Sequence, residues 1–489
     1  MDFKSTADIS TQNKNYSGSL AVLTTLFFMW GFITCMNDIL IPYLKKIFVL
    51  SYTEIMLVQF VFFGAYFVGS VVYFIISTNY GDPIAKIGFK KGILIGLAIS
   101  AFACILFYPS AELKSYPLFL ASLFILGIGF TLLQITANPL VAAIGNPDTA
   151  SSRLNLAQGL NSFGTTIAPI IGGFLVFSFF AKIGEPLKNV LGGAVMTDAG
   201  QPISANGVII PYFIFAGMFM LTFALIYFSK IPEPSGTGTV EKGAGALKFR
   251  HLKLGMIAIF VYVGAEVCIG SFFLNFMHDL NKMPEMTAKS FLAFYWGGAM
   301  IGRFLGAISL GSHKSFAKKF SFMTLTAFGF FFLIYVILLI ESKMSNHELP
   351  EFISLLPYLI FIALNLFAFM LGKSLPHRSL FVFALFNIAL TVVVMLTEGG
   401  LMMWSMIGIG IFNSIMWSNI FTLAIKDLGK YTSQGSSLLV MMILGGAVLP
   451  LIMGLLVDNI GIHLSFIVPA LAYMYLAFYG FNGYKVINK

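Results

Sequence analysis

Two carboxylates lie inside long apolar stretches of the sequence, where a charge is expensive. Asp38 falls within residues 37–42 (NDILIP), and Glu266 follows residues 262–265 (YVGA). A charged side chain at the centre of a membrane helix costs about 2.5–3.5 kcal/mol on insertion scales, so each is a functional candidate. Such a carboxylate can exchange a proton, coordinate Na⁺ or accept a hydrogen bond from a hydroxyl. For Asp38, the structural alternative is an interfacial position near a helix end.

Side-chain amides are concentrated in the same apolar stretches, together with one tryptophan. Paired donors and acceptors of this kind bind polyhydroxylated solutes, and an indole ring can stack on the apolar side of a sugar. Gln158 and Asn161 are three residues apart and so share a helix face. For any one amide, hydrogen bonding between helices is the alternative. The residues predicted to bind substrate are Asn37, Gln59, Gln134, Asn138, Gln158, Asn161, Asn413, Trp417 and Asn419.

The composition indicates that membrane helices position these residues. Of 489 residues, 58% are hydrophobic and 10% are charged, and the mean hydropathy is +0.90. Soluble domains are about 45–50% apolar and 25% charged, so a polytopic all-α membrane protein is expected. The net charge of +9 is attributed to lysines in cytoplasmic loops and not to a nucleic-acid partner. Cys35, Cys104 and Cys268 lie in apolar segments and predict neither a disulfide nor a metal site.

About fourteen segments are long enough to span a membrane, which takes about 20 apolar residues. Six precede residue 230 and eight follow residue 253. The predicted division is therefore an N-terminal half (1–229), a cytoplasmic linker (230–253) and a C-terminal half (254–489). The 29 Lys and Arg residues support this count through the positive-inside rule, because 20 fall inside, 8 fall outside and Arg303 lies within a span. Both termini are then cytoplasmic.

An internal repeat identifies the two surplus helices. Residues 134–176 return without a gap as residues 415–457, and the matches include Asn138/Asn419, Ser152/Ser433, Gly164/Gly445, Pro169/Pro450 and Gly173/Gly454. A repeat of this length predicts two related halves with a substrate site between them. Its register makes residues 415–457 the fourth and fifth helices of the second half. The helix pair at about 320–372 is therefore predicted to be an insertion.

The chain resembles the fucose:proton symporter family of the major facilitator superfamily. The resemblance rests on residues 37–42, 137–139 (ANP), 153–158 (RLNLAQ), 161–164 (NSFG), 262–265 and 425–429 (IKDLG). It implies a major facilitator fold of two pseudo-symmetric six-helix halves, alternating access by a rocker-switch motion, and a sugar site between the halves. It also implies cation-driven import across the bacterial inner membrane.

Three departures point to the glucose/galactose branch of that family. Fucose symporters have Glu where this chain has Gln134, Gln where it has Glu266, and Tyr where it has Trp417. The branch includes sodium-dependent glucose carriers and has N-acetylglucosamine carriers as relatives. In the loop 85–91 (AKIGFKK), Ala85 replaces the usual Asp. The gating salt bridge of that Asp is therefore expected to be absent or rebuilt, and gating or structural roles are assigned to Lys86, Arg153 and Arg303.

The prediction is a symporter for a hexose such as glucose or galactose. Asp38 and Glu266 would take the coupling ion, either H⁺ or Na⁺, and no cofactor or other metal is expected. The expected partners are a sugar and the lipid bilayer, and the chain is expected to be monomeric. A fucose or N-acetylglucosamine symporter and a passive facilitator or sugar receptor stay open. A membrane-embedded enzyme using Asp38 and Glu266 as an acid/base pair would need a reactive group, and the sequence holds no metal-ligand cluster or nucleophile motif.

Overall fold

The structure is a computed structural model, and it describes residues 16–48, 52–113, 115–173, 206–233, 242–312, 315–345 and 349–487. These residues are almost entirely helical. We number the long helices α1 to α14. Those before the predicted linker are α1 Ser17–Phe48, α2 Tyr52–Tyr80, α3 Phe89–Glu112, α4 Tyr116–Ala143, α5 Ala150–Gly173 and α6 Asn206–Phe228.

Eight long helices follow the predicted linker. They are α7 Arg250–Asn281, α8 Glu285–Ser309, α9 Phe316–Ser345, α10 Leu356–Gly372, α11 Pro376–Leu396, α12 Gly399–Ala424, α13 Gly429–Ile460 and α14 Ile462–Gly483. Short turns or changes of helical pitch interrupt α12, α13 and α14. The domain boundaries predicted from the sequence stay predictions.

Thirteen helices in the described part of the chain are long and apolar enough to cross a membrane. Helix α5 is as long as its neighbours, with 24 residues, but does not reach that apolarity. The reason is its sequence, which carries Ser, Asn, Gln and Thr along most of its length. The most polar of the long helices is thus the one on which the sequence places Gln158 and Asn161.

The repeated helix pair makes the same packing contact in both halves. A Cβ atom added to Gly164 of α5 would lie 2.3 Å from the carbonyl oxygen of Phe28 in α1. A Cβ atom added to Gly445 of α13 would lie 1.9 Å from the carbonyl oxygen of Phe260 in α7. Small residues allow membrane helices to approach this closely. The matched glycines therefore seat the fifth helix of each half directly on the first.

Burial separates a central helix from peripheral ones. In the most apolar 18-residue stretch of α12, 94% of the residues are buried, whereas the buried share of the corresponding stretch is 28% in α2 and 33% in α9. Large apolar side chains such as Leu221, Phe228 and Leu325 are mostly exposed, as expected for surfaces that face lipid tails. The pair predicted to be an insertion consists of α9, which packs mainly on α8, and α10, which packs mainly on α11 and α12.

Candidate sugar and cation site

Glu266 lies halfway along α7, the first helix of the C-terminal half. It is sixteen residues from the start of this 32-residue helix, which places it about 24 Å from that end. Its side chain is 13% exposed. The Tyr262 hydroxyl, one turn earlier on the same helix, donates a hydrogen bond of 2.8 Å to Glu266 Oε1. Arg303 Nη2 of α8 lies 3.8 Å from the same oxygen. The carboxylate is therefore held by one hydroxyl donor and one cation.

Arg303 connects this carboxylate to the N-terminal half. Its Nη1 donates a hydrogen bond to Ser162 Oγ of α5, and its Nε donates one of 3.3 Å to the carbonyl oxygen of Ser414 in α12. The guanidinium is 13% exposed, so it lies inside the bundle and not at a snorkelling position on its rim. A change in the charge of Glu266 therefore changes the electrostatic environment of Arg303, which makes a contact between the two halves.

A second polar cluster contacts the backbone of Glu266 through Tyr295. The Tyr295 hydroxyl donates a hydrogen bond to the Glu266 carbonyl oxygen at 2.9 Å and accepts one from Asn413 Nδ2 at 3.2 Å. Asn413 Oδ1 accepts hydrogen bonds from Tyr473 Oη at 2.9 Å and from Asn387 Nδ2 at 2.8 Å. Asn413 is fully buried. Both the oxygen and the nitrogen of its amide have protein partners, and the nitrogen orients the Tyr295 hydroxyl.

Three amides of the N-terminal half form a chain of hydrogen bonds. Asn138 Nδ2 donates to Gln134 Oε1 at 3.1 Å, and Gln158 Nε2 donates to Asn138 Oδ1 at 3.3 Å. Asn138 is fully buried, whereas Gln134 and Gln158 are each 8% exposed. Gln158 Oε1 accepts no hydrogen bond from any residue that the structure describes. The chain thus ends in an amide oxygen that is available to a hydroxyl donor.

Gln158 lies one helical turn before Ser162, the α5 residue that binds Arg303. Between them, a Cβ atom added to Gly159 would lie 3.3 Å from the ring of Phe304 in α8. Helices α5 and α8 are therefore in direct contact at this level. The amide chain of one half and the Glu266–Arg303 pair of the other thus meet across the α5–α8 contact.

Trp417 of α12 contributes a donor that has no acceptor. The indole is 8% exposed, and its Nε1 atom is buried without a hydrogen-bond partner among the described residues. Its ring stacks on Phe421, with centroids 6.1 Å apart. A buried polar atom without a partner costs about 1–3 kcal/mol, so an acceptor supplied by a ligand would stabilise this arrangement.

Two other predicted substrate contacts hold the bundle together. Asn161 Nδ2 donates to the Phe27 carbonyl oxygen of α1 at 3.0 Å. Asn419 is fully buried and accepts a hydrogen bond of 3.2 Å from Asn155 Nδ2 across the two halves. The side chains of Asn37, Asp38 and Gln59 lie outside the described residues. The structure therefore links Gln134, Asn138 and Gln158 in one chain that lies one helical turn from the Ser162–Arg303–Glu266 contact. Trp417 lies on α12 with an indole donor that is unpaired among the described residues.

One end of the bundle is closed by hydrogen bonds between the halves, and we call it the latch end. The loops 81–88, 144–149 and 425–428 lie there. Asp82 Oδ2 accepts a hydrogen bond of 2.6 Å from Ser433 Oγ of α13, while Oδ1 accepts bonds from Tyr73 Oη at 2.6 Å and from the Ile84 amide at 2.9 Å. Asp82 is 6% exposed. Asp82, three residues before Ala85, thus supplies a buried carboxylate that makes a contact between the halves at this end.

The repeat supplies a matching contact on the other side of the latch end. Ser152 Oγ, the counterpart of Ser433, donates a hydrogen bond of 2.6 Å to the Ala307 carbonyl oxygen of α8. Each serine therefore reaches from the fifth helix of its half to the second helix or following loop of the other half. Sequence reasoning missed Asp82, although the Ser152/Ser433 match was the available signal.

Lys86 and Arg153 make contacts within the N-terminal half. Arg153 donates hydrogen bonds to the carbonyl oxygens of Val141 at 3.0 Å and Ala142 at 2.6 Å, and so caps the C-terminal end of α4. Lys86 is exposed, and its Nζ donates to the Tyr80 carbonyl oxygen at 2.9 Å. Over the part of the chain that the structure describes, no three His, Cys, Asp or Glu side chains form a metal-binding group.

Comparison with known proteins gives a family for this architecture. The family model of the Major Facilitator Superfamily matches residues 21–439. The glucose/galactose transporter of Brucella abortus is 39% identical over 481 residues, which cover 97% of this chain and 96% of that protein. The L-fucose-proton symporter of Escherichia coli is 28% identical over 471 residues, covering 94% of this chain and 92% of that protein.

A solved structure agrees with the sequence relatives. The crystal structure of a Major Facilitator Superfamily transporter, FucP, in the outward conformation superposes with a TM-score of 0.70 at 26% identity. The match covers 95% of this chain and 98% of that chain. The fold and the family resemblance predicted from the sequence are both confirmed. This chain belongs to the Major Facilitator Superfamily.

Proposed function

We propose that the protein is a proton-coupled symporter that imports a hexose such as glucose or galactose across the bacterial inner membrane. The observation that carries the proposal is a buried carboxylate, Glu266, paired with Arg303 at the level where the amide chain ending in Gln158 meets α8. The relatives named for glucose and galactose support the sugar class. The relative named as a proton symporter supports the coupling ion.

In this proposal the ion pair is the coupling element. With Glu266 ionised, its charge is balanced by Arg303, and Arg303 is held against Ser162 and Ser414. Protonation of Glu266 removes the balancing charge and so loosens the contact that Arg303 makes with α5. The protonated carboxyl then no longer needs a cation, so Arg303 can move away from it and rearrange at the α5 contact without leaving an unpaired buried carboxylate behind.

The amides and the indole form the sugar-binding part. Gln158 Oε1 accepts a hydrogen bond from a sugar hydroxyl, and Trp417 Nε1 donates one to a sugar oxygen. Gln134 and Asn138 hold the Gln158 amide in place through the hydrogen-bond chain. Asn161, Asn413 and Asn419 act as positioning residues. Asp38 stays a candidate for a second proton site, and Asn37 and Gln59 for further sugar contacts.

The energetics are sufficient for accumulation. One positive charge moving inward across 100 mV gains about 2.3 kcal/mol. At about 1.4 kcal/mol per factor of ten, this supports roughly fifty-fold accumulation when one proton enters with each sugar. In this proposal the latch end faces the cytoplasm. It is the closed end of the bundle in the conformation described above.

Uptake into proteoliposomes tests the proposal. Labelled glucose, galactose, fucose and N-acetylglucosamine are supplied under an inward pH gradient alone and then under an inward Na⁺ gradient alone. Accumulation of glucose or galactose under the pH gradient only is expected. Accumulation under Na⁺ only would replace the proton by Na⁺, and equilibration under either gradient would indicate a facilitator. Absence of flux for all four sugars would contradict the proposed substrate class.

A further inference from the structure

A cavity of about 350 Å³ lies between α9, α10 and the end of α8, and none of its lining residues belongs to the candidate sugar site. Its floor is apolar and consists of Met323, Leu366 and Phe369, which are 3%, 7% and 3% exposed. Helix α9 packs mainly on α8 and α10 mainly on α11 and α12. The two helices of the predicted insertion are therefore not packed tightly on each other, and the cavity occupies the space between them.

The rim of the cavity is cationic. Lys319 Nζ donates hydrogen bonds of 2.8 Å to the Ser309 carbonyl oxygen and to Ser374 Oγ and one of 3.4 Å to the Gly311 carbonyl oxygen, all neutral acceptors, and Lys373 is exposed beside it. Among the described residues, no carboxylate lies within 4 Å of either ammonium group. Residues 309–340 and 352–397 contain no Asp or Glu at all. The positive charge of the rim is therefore not neutralised by α10, by α11 or by residues 316–340 of α9.

The rim lies at the level where a membrane meets water. Helix α8 ends at Ser309, α9 begins at Phe316 and α10 ends at Gly372, all at the latch end. Phe316, Phe320 and Met370, which also line the cavity, are 64%, 37% and 44% exposed. The cavity thus opens sideways past apolar side chains, toward the region that lipid tails occupy.

From this arrangement we infer that the cavity binds an anionic phospholipid, with its phosphate at Lys319 and Lys373 and the start of an acyl chain over Met323, Leu366 and Phe369. Each part of the site matches one part of that ligand. Two cations without a carboxylate partner fit the phosphate, and lysines at this level attract anionic headgroups. The dry floor and the sideways opening fit an acyl chain and disfavour a free soluble anion. The site gives the predicted insertion a function that is independent of sugar binding.

Lipid-dependent thermal stability of the purified full-length protein tests the inference. After removal of bound lipid, the protein in detergent is titrated with phosphatidylglycerol, with phosphatidylcholine of the same chains, and with glycerol phosphate as the free headgroup. Saturable stabilisation by phosphatidylglycerol alone is expected. Equal stabilisation by phosphatidylcholine would overturn the role of charge, and an equal effect of glycerol phosphate would mean that the site takes a soluble anion.

A matched pair of variants locates the effect. Lys373→Asn removes one rim charge, and Asn tolerates the left-handed backbone at this position, where φ is 49°. We expect about fivefold weaker phosphatidylglycerol binding, since one lysine near an anionic surface contributes about that factor. Lys318→Asn removes an exposed lysine that does not line the cavity, and no change is expected. Equal weakening by both variants would mean that the lipid responds to the overall surface charge and not to this cavity, and it would overturn the inference.

Discussion

The repeated helix pair occurs once in each half, and its two copies differ at three positions that the sequence analysis predicts to bind substrate. Gln134, Gln158 and Asn161 of the first copy correspond to Ile415, Leu439 and Met442 of the second. In contrast, the glycines that seat the fifth helix on the first, and the serines of the latch end, are shared by both copies. The shared glycines and serines make corresponding packing and latch contacts in both halves, whereas Gln134 and Gln158 occur only in the first copy.

This asymmetry divides the work between the halves. The first half carries the amide chain formed by Gln134, Asn138 and Gln158. The second half carries Glu266 and the cluster around Tyr295 and Asn413 that supports it. Arg303 joins the two by reaching Ser162 of the first half. In the proposed mechanism, the amide chain of the first half and Trp417 of the second half bind the sugar, Glu266 of the second half takes the proton, and Arg303 connects the two halves.

The largest effect is expected from the shared glycines. In Gly164→Val and Gly445→Val, the added Cβ atom would fall on a backbone oxygen, which has no room to move. Overpacking of this kind costs about 3 kcal/mol at its upper end. We expect loss of monodisperse protein in size-exclusion chromatography for both variants. Gly454→Ala is the control, because its nearest neighbour would be 3.4 Å away, an ordinary contact. Normal folding of only one of the two valine variants would contradict the equivalence of the two glycine contacts.

The unshared amides are tested by making the first copy like the second. Gln158→Leu introduces the residue found at Leu439 and leaves a sugar hydroxyl without its acceptor. We expect about tenfold or greater weakening of sugar binding, measured by isothermal titration calorimetry. The control is Asn459→Leu, an exposed amide at the end of α13. Unchanged affinity in Gln158→Leu would remove this amide from the sugar site.

The two latch serines should differ in strength, because one binds a carboxylate and the other a carbonyl oxygen. A hydrogen bond to a charged group is worth about 1.5–3 kcal/mol, and one between neutral groups about 0.5–1.5 kcal/mol. Ser433→Ala should therefore shift the equilibrium toward an open latch end about tenfold, and Ser152→Ala about threefold. Distances between spin labels across the latch end measure the shift. A larger effect of Ser152→Ala would contradict the assignment of Asp82 as the stronger latch.

The fold was largely predictable, since composition, span length and the repeat are local or periodic signals. Helix α5 was also predicted as a span, at about residues 154–181, although it is less apolar than the other long helices. The position of Glu266 inside a membrane helix was also predictable, because it lies in a long apolar stretch of the sequence, and its role stays a prediction. What could not be predicted is how polar groups are paired. Asn413 and Asn419 have the same residue type as ligand-binding amides, and only their neighbours show that they are occupied.

Asp82 shows the same limit, because the sequence did not mark it as a candidate and the structure places it in a buried contact. It lies in a loop, where a carboxylate is usually solvated, and its partner Ser433 is 351 residues away. Only the closed packing of the two halves turns it into a buried acceptor. Arg303 was expected to be structural or gating, and its place beside Glu266 depends on the contact of α7 with α8, which no local pattern encodes.

The central claim is that Glu266 couples proton entry to sugar movement, and Glu266→Gln tests it most directly. The amide keeps the shape of the side chain and can still accept a hydrogen bond from Tyr262, but it does not titrate. In proteoliposomes, the variant should lose accumulation driven by a pH gradient and keep the exchange of internal for external sugar. Glu398→Gln, at the start of α12, is the matched control and should accumulate normally. Accumulation by Glu266→Gln at the level of the unaltered protein would contradict the account.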